Sequence, residues 1–368
     1  MKISVQKQIL QDAISDVQKA ISGKVIMPIL QGILIIAQNS QIILIGSNID
    51  LIIETKIQGN IIEEGRIVVD SRLFGDIIRK LPDGEIQFES KEDKTLNIEY
   101  SNFKAALLHM DANEYPSLPD IKKETTFQIS QRLIKCMIKG TIFATAQDEF
   151  RASYTGILFE VSERKLNLVA LDGYRAAIRS EKIESDLILS KIVPGKTLNE
   201  VYKILEDNDN VINISFASNH VIFNLGNTKI SSRLLEGNFV KHEDIIPKEY
   251  STNIIIKRNE LLNSIERASL MGKEEYGNKV ILEVQGDKMF IMANCQFGKL
   301  REKINIILHG NDLKIAFNSK YLIDILKVMD NDEIVLELNN SINPCVIKNR
   351  NSDNCIYMLV PILHRFEK

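Results

Sequence analysis

The amino-acid sequence predicts an α+β protein of three similar domains. The chain has 368 residues, which exceeds the size of a single ordinary domain. One amphipathic helical pattern occurs three times at a constant spacing. Short runs in which apolar residues recur at alternating positions lie between the helical segments, and they predict strands. Together these features indicate one α+β unit repeated three times.

The repeated helix starts near a basic residue in each copy. These residues are Arg72, Lys196 and Lys320, and both steps between them are 124 residues. Apolar residues recur at helical spacing at Leu73, Ile77, Ile78 and Leu81, at Leu198, Val201, Tyr202 and Leu205, and at Leu322, Ile325, Leu326 and Met329. A turn and an apolar strand follow each copy, at residues 85–88, 211–214 and 333–336. The pattern therefore predicts equivalent helices over 71–81, 195–205 and 319–329.

A second helix is predicted near the start of each unit. Each unit has a pair of apolar residues one helical turn apart, and the pairs recur at steps of 124 and 127 residues: Leu10 and Ile14, Ile134 and Ile138, and Leu261 and Ile265. This spacing predicts helices over 7–20, 130–143 and 257–270. Alternating runs at 41–46, 165–170 and 288–293 predict strands between the helices. Polar connections at 122–124 and 247–250 separate the units. We therefore predict an N-terminal domain at 1–125, a central domain at 126–249 and a C-terminal domain at 250–368.

The composition is that of a folded protein, with 44% hydrophobic residues, 26% charged residues and only 8 prolines. No run approaches the roughly 18 apolar residues of a membrane helix, and the start at Met1-Lys2-Ile3 does not resemble a signal peptide. We therefore expect a cytoplasmic protein. The four cysteines form no C-x-x-C pair and the five histidines lack metal-ligand spacing. This predicts reduced structural thiols and no metal or other cofactor.

Positive charge is concentrated in the six predicted helical segments. These segments contain 15 Lys or Arg and 7 Asp or Glu, so they carry a net charge of +8 in a chain whose total is −3, and the remainder carries −11. Basic residues at equivalent places in three repeats could form one positive surface that attracts phosphates without reading bases. A single exposed lysine indicates only solvation. A duplicated scaffold with another function remains an alternative reading of the repeat.

No pattern in the chain predicts catalysis or sequence-specific DNA recognition. Gly195-Lys196-Thr197 resembles the end of a phosphate-binding loop, but Ser190 occupies the place of the required earlier glycine, and a helix start with Thr197 near the cap fits better. Acidic pairs at Asp207 and Asp209 and at Asp330 and Asp332 occupy the same turn in two repeats, which favours a structural role. There is no Trp, zinc finger or helix-turn-helix pattern.

Five motifs in order resemble one known family over essentially the whole chain. They are Met27-Pro28-Ile29-Leu30, Leu171-Asp172-Gly173-Tyr174-Arg175, Ile192-Val193-Pro194-Gly195-Lys196, Phe317-Asn318-Ser319-Lys320-Tyr321 and Tyr357-Met358-Leu359-Val360-Pro361-Ile362. The family is that of the bacterial DNA sliding clamps, the beta subunits of the replicative DNA polymerase. The resemblance implies a head-to-tail homodimeric ring with helices lining the hole and sheets outside. It further implies a processivity factor without catalytic activity, which encircles double-stranded DNA after an ATP-driven clamp loader has placed it there.

The resemblance also implies three sets of functional residues. The partner-peptide cleft, which would bind short apolar motifs of the polymerase, the clamp loader and repair proteins, carries over to Tyr154, Leu171, Gly173, Tyr174, Arg175, Ile245, Tyr276, Asn318, Tyr321, Ile342, Pro344, Val360, Pro361 and Ile362. The DNA-facing residues carry over to Lys24, Arg72, Arg79, Lys80, Gln147, Arg151 and Lys196. The apolar dimer contacts carry over to Leu107 on one subunit and Leu270 with Met271 on the other. Each residue also has an alternative role. The apolar residues of the cleft could simply pack in the core, Arg175 could form a local ion pair, and Arg151 could brace the adjacent strand.

The sequence departs from the family at the edge of the implied cleft. Val240 and Asp244 stand where the family commonly has proline and arginine, whereas Ile245 is still apolar. The end of the chain, 363–368, runs past the usual terminus. These departures concern partner choice and leave open a divergent paralogue that acts as an interaction scaffold. A nuclease or nucleotidyltransferase is a more distant alternative, because the sequence lacks clustered catalytic carboxylates.

Overall fold

A computed structural model describes residues 1–21, 27–119, 121–122, 124–148, 150–272 and 278–363. Within these residues the chain forms seven α-helices and 26 β-strands. The helices are α1 (Lys7–Gln18), α2 (Ser71–Lys80), α3 (Gln131–Lys139), α4 (Gly195–Ile204), α5 (His242–Ile245), α6 (Arg258–Gly272) and α7 (Ser319–Val328).

The strands are mostly four to eight residues long and fall into three stretches of the chain. The first stretch contains β1 (Lys2–Gln6), β2 (Gly32–Gln38), β3 (Gln41–Ser47), β4 (Leu51–Ile57), β5 (Asn60–Glu63), β6 (Gly65–Asp70), β7 (Glu85–Ser90), β8 (Thr95–Tyr100) and β9 (Phe103–Met110). The second contains β10 (Thr125–Ser130), β11 (Gly156–Ser162), β12 (Lys165–Leu171), β13 (Arg175–Lys182), β14 (Leu189–Pro194), β15 (Val211–Phe216), β16 (His220–Leu225) and β17 (Thr228–Arg233). The third contains β18 (Thr252–Lys257), β19 (Lys279–Gln285), β20 (Lys288–Cys295), β21 (Gly298–Asn305), β22 (Ile307–Gly310), β23 (Leu313–Asn318), β24 (Glu333–Leu338), β25 (Cys345–Asn349) and β26 (Ser352–Leu359).

All six predicted helices are confirmed, and each starts within one residue of its predicted position. The predicted strands are also present, as β3, β7, β12, β15, β20 and β24. Helix α3 ends at Lys139, earlier than the predicted residue 143. The Thr141 hydroxyl donates to the Met137 carbonyl oxygen at 2.9 Å, a local side-chain bond that competes with continued helix. Residues 142–144 form a 3₁₀ turn instead.

The chain divides into two compact units. One unit comprises Met1–Arg132 and Lys196–Leu234, and the other comprises Leu133–Gly195 and Leu235–Lys368. The first contains a 13-stranded antiparallel sheet in the order β10-β15-β16-β17-β4-β3-β2-β6-β9-β8-β7-β1-β5. The second contains a nine-stranded sheet, β14-β11-β12-β13-β26-β25-β24-β18-β22, and a four-stranded sheet, β21-β20-β19-β23. Strands of the middle stretch thus extend sheets of both the first and the third stretch.

The apolar face of α2 differs in one position from the predicted face. Phe74 and Ile78 are buried, whereas Leu73 is exposed. Phe74, Ile78 and Leu81 are spaced as one helical stripe, and Leu73 lies beside that stripe in the first turn, where the Asp70 carboxylate accepts a hydrogen bond from its backbone N–H at 2.7 Å. The prediction that Leu73 belongs to the buried face was wrong.

The first long helix of each repeat has a basic residue at its first or second position, and this residue binds the turn after the second helix. The backbone N–H groups of Lys7, Arg132 and Arg258 donate to the carbonyl oxygens of Gly84, Asn208 and Asp332 at 2.8, 2.9 and 2.8 Å. Their side chains reinforce the contact, with Lys7 on Asp83 at 3.3 Å, Arg132 on Asp207 and Asp209 at 3.0 and 3.2 Å, and Arg258 on the Asn331 carbonyl oxygen at 3.1 Å. This agrees with the structural role predicted for the acidic turns.

Candidate functional site

An apolar row crosses four strands of the nine-stranded sheet. In the order of the strands, its members are Leu171 on β12, Ala176 on β13, Met358 on β26 and Val346 on β25. Each lies directly opposite the next in the sheet register. Register neighbours project from the same face of a sheet, so these residues form one surface, here called the apolar row. Tyr154, Phe239, Val240 and Ile245 pack against its buried members.

The turn after β12 is held in place by the side chain of Asp172, which belongs to the turn. The Asp172 carboxylate accepts hydrogen bonds from the backbone N–H groups of Tyr174 and Arg175 at 2.9 and 3.0 Å. Gly173 has a φ of +92°, a conformation that L side chains rarely adopt, and no atom lies within 4 Å of the position of an added Cβ. The backbone conformation therefore explains the glycine. The Tyr174 carbonyl oxygen accepts from the Val360 N–H at 2.9 Å, which joins this turn to the strand end after β26.

Arg175 is a buried structural cation. Its Nε lies 3.0 Å from Asp172 Oδ2, and its Nη1 lies 2.6 Å from Asp324 Oδ2. The guanidinium also lies over two rings, 4.3 Å from the centroid of Tyr321 and 5.2 Å from that of Phe143. Both carboxylates are used to hold this residue in place. Arg175 therefore forms ion pairs within the protein, which is the alternative to peptide binding given in the sequence analysis.

Tyr174 is the exposed end of this stack. Its ring is stacked on Tyr321, with centroids 6.3 Å apart and planes inclined by 29°, and 62% of the residue's surface is exposed. Burial, followed by the nearby Asp172 carboxylate, raises the pKa of the Tyr321 hydroxyl above its ordinary value. Tyr174, Tyr321, Arg175 and Phe143 thus form a preorganised ladder that presents one aromatic face to solvent.

The other predicted cleft residues have different surroundings. Asn318 caps α7, since its side chain accepts from the Lys320 N–H at 2.9 Å. The N–H of Ile362 donates to the Ala316 carbonyl oxygen at 2.8 Å. Pro361 is buried, Pro344, Val360 and Ile362 are half-buried, and Ile342 is exposed. Tyr276 lies outside the described residues.

Three residues of this region were not identified from the sequence. Phe239 packs edge-to-face on Tyr154 with centroids 5.5 Å apart, and Phe143 and Asp324 hold Arg175. Asp324 lies three residues after Tyr321, so it falls on the same side of α7, and this spacing was the available signal. Phe143 and Phe239 lie far from the motifs in sequence and carry no comparable signal.

Three equivalent basic residues are exposed at the starts of three helices. Arg72, Lys196 and Lys320, here called the basic triad, occupy the second position of α2, α4 and α7. None of them forms an ion pair with another described residue. Thr197, beside Lys196, is buried, and its hydroxyl pairs with Ser232 at 2.7 Å, so it does not cap the helix with its side chain. The basic triad leaves its charge available to an external anion.

The remaining predicted DNA-facing residues are partly engaged within the protein. Arg79 pairs with Asp76, while Lys80 and Gln147 are exposed. Arg151 contacts Tyr154, with Nη1 3.3 Å from the hydroxyl and the guanidinium 5.4 Å from the ring centroid. Lys24 lies outside the described residues. Because Lys7, Arg132 and Arg258 bind turns, the helical net charge counted from the sequence overstates the free positive charge.

The predicted dimer contacts fall in both units. In the first unit, Leu107 on β9 lies opposite the buried Leu96 and is half-buried, whereas its neighbour Leu108 is 80% exposed. In the second unit, Leu270 at the end of α6 is exposed. Met271 is half-buried, and its sulfur accepts from the Cys295 thiol at 3.6 Å. The exposed Phe297 directly precedes β21.

Comparison with known proteins places the chain in a family. Its residues 1–119, 128–241 and 243–363 match the N-terminal, central and C-terminal domains of the DNA polymerase III beta subunit. The chain belongs to the DNA polymerase III beta subunit family, the bacterial sliding clamps. This membership gives it the function of a DNA sliding clamp and confirms the three-domain α+β fold class.

Individual relatives match along almost the full chain. It is similar to the beta sliding clamps of Staphylococcus epidermidis and Staphylococcus aureus, with 33% and 34% identity over 98% of this chain and 99% of each relative. It is also similar to the crystal structure of the DNA polymerase sliding clamp from Bacillus subtilis, with a TM-score of 0.96, 32% identity and coverage of 99% and 100%. A putative DNA polymerase III beta subunit from Eubacterium rectale gives a TM-score of 0.94 and 33% identity, with coverage of 98% and 99%. Within the described residues, no helix is long and apolar enough to cross a membrane.

Proposed function

We propose that this clamp is a non-catalytic processivity factor, a closed ring of two chains that surrounds duplex DNA in the cytoplasm. Through its apolar row and Tyr174 it holds the replicative polymerase, the clamp loader and repair proteins by short peptides. The observation that carries the proposal is an apolar sheet surface bordered by a rigid, exposed aromatic ring. The domain boundaries near residues 125 and 249 are part of this proposal, and the family matches leave 120–127 and residue 242 between domains.

Two free strand edges support the ring. Within the described residues, 103–108 of β9 pair only with β8, and β21 pairs only with β20. Monomeric proteins avoid exposed apolar edges, because such edges pair with other chains. We infer that β9 of one subunit meets β21 of the next, with Leu107, Leu270 and Met271 joined by Leu108 and Phe297. A head-to-tail contact that closes after two copies forms a ring.

Light scattering tests the ring directly. We expect a dimer at micromolar concentration, and we expect Leu108→Asp to give monomers because it places a charge in the contact. Ile62→Asp, at another exposed apolar position on β5, is the matched control and should leave the dimer intact. A wild-type protein that stays monomeric at every concentration would contradict the ring.

The basic triad supports sequence-independent DNA contact. Three free cations per chain give six per ring, and each neutralised phosphate contributes about 0.9 to the slope of log K against log salt. Weaker contacts are proposed for the remaining predicted DNA-facing residues, which are Lys24, Arg79, Lys80, Gln147 and Arg151. Contacts of this kind position a protein on DNA and do not read sequence.

Topological retention is the decisive test of the clamp mechanism. After loading by an ATP-driven clamp loader, the protein should remain on nicked circular DNA and leave once the DNA is linearised. Substituting glutamine throughout the basic triad should reduce loading. The matched control substitutes three exposed lysines outside the helices, Lys229, Lys248 and Lys299. Equal loss from circular and linear templates would overturn the proposal.

Asp244 is proposed to set partner preference at the cleft edge. It is exposed, forms no ion pair with another described residue, and directly precedes Ile245, which packs on the apolar row. An uncompensated carboxylate repels acidic groups in a neighbouring ligand. We therefore infer that acidic residues beside the bound motif are disfavoured. Residues 364–368, which include the Phe366 that could occupy the groove, lie outside the described residues.

A further inference from the structure

A histidine and two glutamates meet on the second unit, beside the cleft edge, and none of the three has been assigned a role above. Glu160 lies on β11, and His242 and Glu243 lie on α5. His242 Nδ1 is 3.9 Å from Glu160 Oε2, and its Nε2 is 3.3 Å from Glu243 Oε1. One ligand atom from each of the three residues lies within 4.8 Å of the others. The side chain of His242 is only 10% exposed, so its imidazole is enclosed by the protein.

The donor set and its spacing fit a cation. The two carboxylates repel each other at this separation, and a positive ion between them would remove the repulsion. An ion binds one imidazole nitrogen, and donors at 2.0–2.2 Å from a tetrahedral ion are separated by about 3.3 Å, which matches the 3.3 Å between His242 Nε2 and Glu243 Oε1. Glu160 lies nearest the other ring nitrogen, Nδ1, but one donor atom from each of the three residues lies within 4.8 Å of the others. Glu243 has 64% of its side chain exposed and is free to close the wider gap to Glu160. The imidazole forms no hydrogen bond with any other described residue.

A second layer of polar groups orients the inner carboxylate. Asn167 Nδ2 donates to Glu160 Oε2 at 3.3 Å, and the Ser180 hydroxyl donates to Asn167 Oδ1 at 2.7 Å. Both supporting residues are buried. Partners of this kind commonly fix ligating carboxylates and raise metal affinity.

We propose that Glu160, His242 and Glu243 bind a divalent transition-metal cation of the zinc class, with water completing the coordination. One imidazole nitrogen and two carboxylate oxygens suit zinc better than magnesium or calcium, which prefer oxygen ligands alone. The ion would tie α5 to β11. Because Val240 and Ile245, on either side of these ligands, pack against the apolar row, the ion would also fix one border of that surface.

Zinc titration of the full-length protein, after removal of metal with a chelator, tests the site. Calorimetry should show about one Zn²⁺ per chain, and zinc should raise the thermal midpoint because it binds only the folded site. Co²⁺ should give a visible absorption band from the same site. We expect His242→Ala to weaken binding at least tenfold, and Glu243→Gln, at an exposed position that does not endanger folding, to weaken it severalfold.

The control variant is His309→Ala, which removes an exposed histidine on β22. It should bind zinc like the wild type. Absence of saturable binding would overturn the proposal, as would equal binding by wild type and Glu243→Gln, or an equal loss in His309→Ala. None of these measurements uses DNA or a partner peptide, so their outcome is independent of the proposed clamp mechanism.

Discussion

Tyr174→Ala should weaken binding of a clamp-recognition peptide about thirtyfold. Tyr174 is 62% exposed in the free chain. For an aromatic residue of roughly 200 Å², this leaves about 120 Å² for a ligand to cover, which is worth about 3 kcal/mol at about 25 cal/mol per Å². Alanine retains part of the contact, so the expected loss is about 2 kcal/mol, or about thirtyfold in Kd.

Fluorescence anisotropy with a labelled apolar-aromatic peptide measures this effect. The substitution should leave the fold intact, because among the described residues the exposed ring stacks on Tyr321 alone, a contact worth about 1 kcal/mol. Tyr250→Ala is the matched control, since Tyr250 is 50% exposed and lies outside the proposed cleft. A loss below about threefold in Tyr174→Ala, or the same loss in the control, would refute the assignment of Tyr174 as an anchor.

Three further predictions concern charge. Glutamine at all three positions of the basic triad should lower the salt slope of DNA binding by about 0.9 for each lost phosphate contact, without lowering thermal stability, as filter binding and calorimetry would show. Asp244→Arg should improve the affinity of acidic-flanked peptides relative to neutral-flanked ones in the same anisotropy assay, and an unchanged ratio would exclude the proposed role of this carboxylate. The hydrogen bond from Arg267 lowers the pKa of Glu302 below its ordinary value, so the pair stabilises the fold above the unfolded pKa of about 4.5 and loses this contribution as pH falls through the folded pKa. Glu302→Gln should therefore cost about 0.5 kcal/mol in urea denaturation at neutral pH and progressively less as the pH falls below about 4.5, whereas a cost that does not change with pH would contradict the linkage.

The repeat pattern predicted the secondary structure because local periodicity reports local burial. Helices α1, α2, α3, α4, α6 and α7 each have apolar residues on one face over at least two turns, and this signal is independent of distant parts of the chain. Helix α5 was not predicted, since four residues cannot display a helical period. The side of α2 that faces the core could be predicted only in part, because Leu73 and Phe74 are adjacent and only packing distinguishes them.

The site was predicted less completely, because its key contacts join distant residues. The ion pair between Arg175 and Asp324 spans 149 positions in the chain, and neither residue alone indicates the other. The apolar row likewise depends on strand register, which brings Leu171, Ala176 and Met358 together. The motifs name residues that the structure brings together around the apolar row, and their role in peptide binding stays a prediction. The structure then shows Arg175 as a buried ion-paired cation, Asn318 as a helix cap and Tyr174 as an exposed aromatic residue.

The two sets of repeated basic residues have different roles, since one set binds turns within the protein and the other carries unpaired charge. Lys7, Arg132 and Arg258 bind the turn that follows the second helix, so they connect the start of the first helix to that turn in each repeat. The basic triad begins that second helix, where an unpaired cation opposes the helix dipole and carries a small cost in stability. A cation that stabilised the fold would be placed at the other end of the helix. The recurrence of a cation at this unfavourable position in three repeats therefore favours a role outside the folded chain, as the proposed contact with a phosphate backbone would provide.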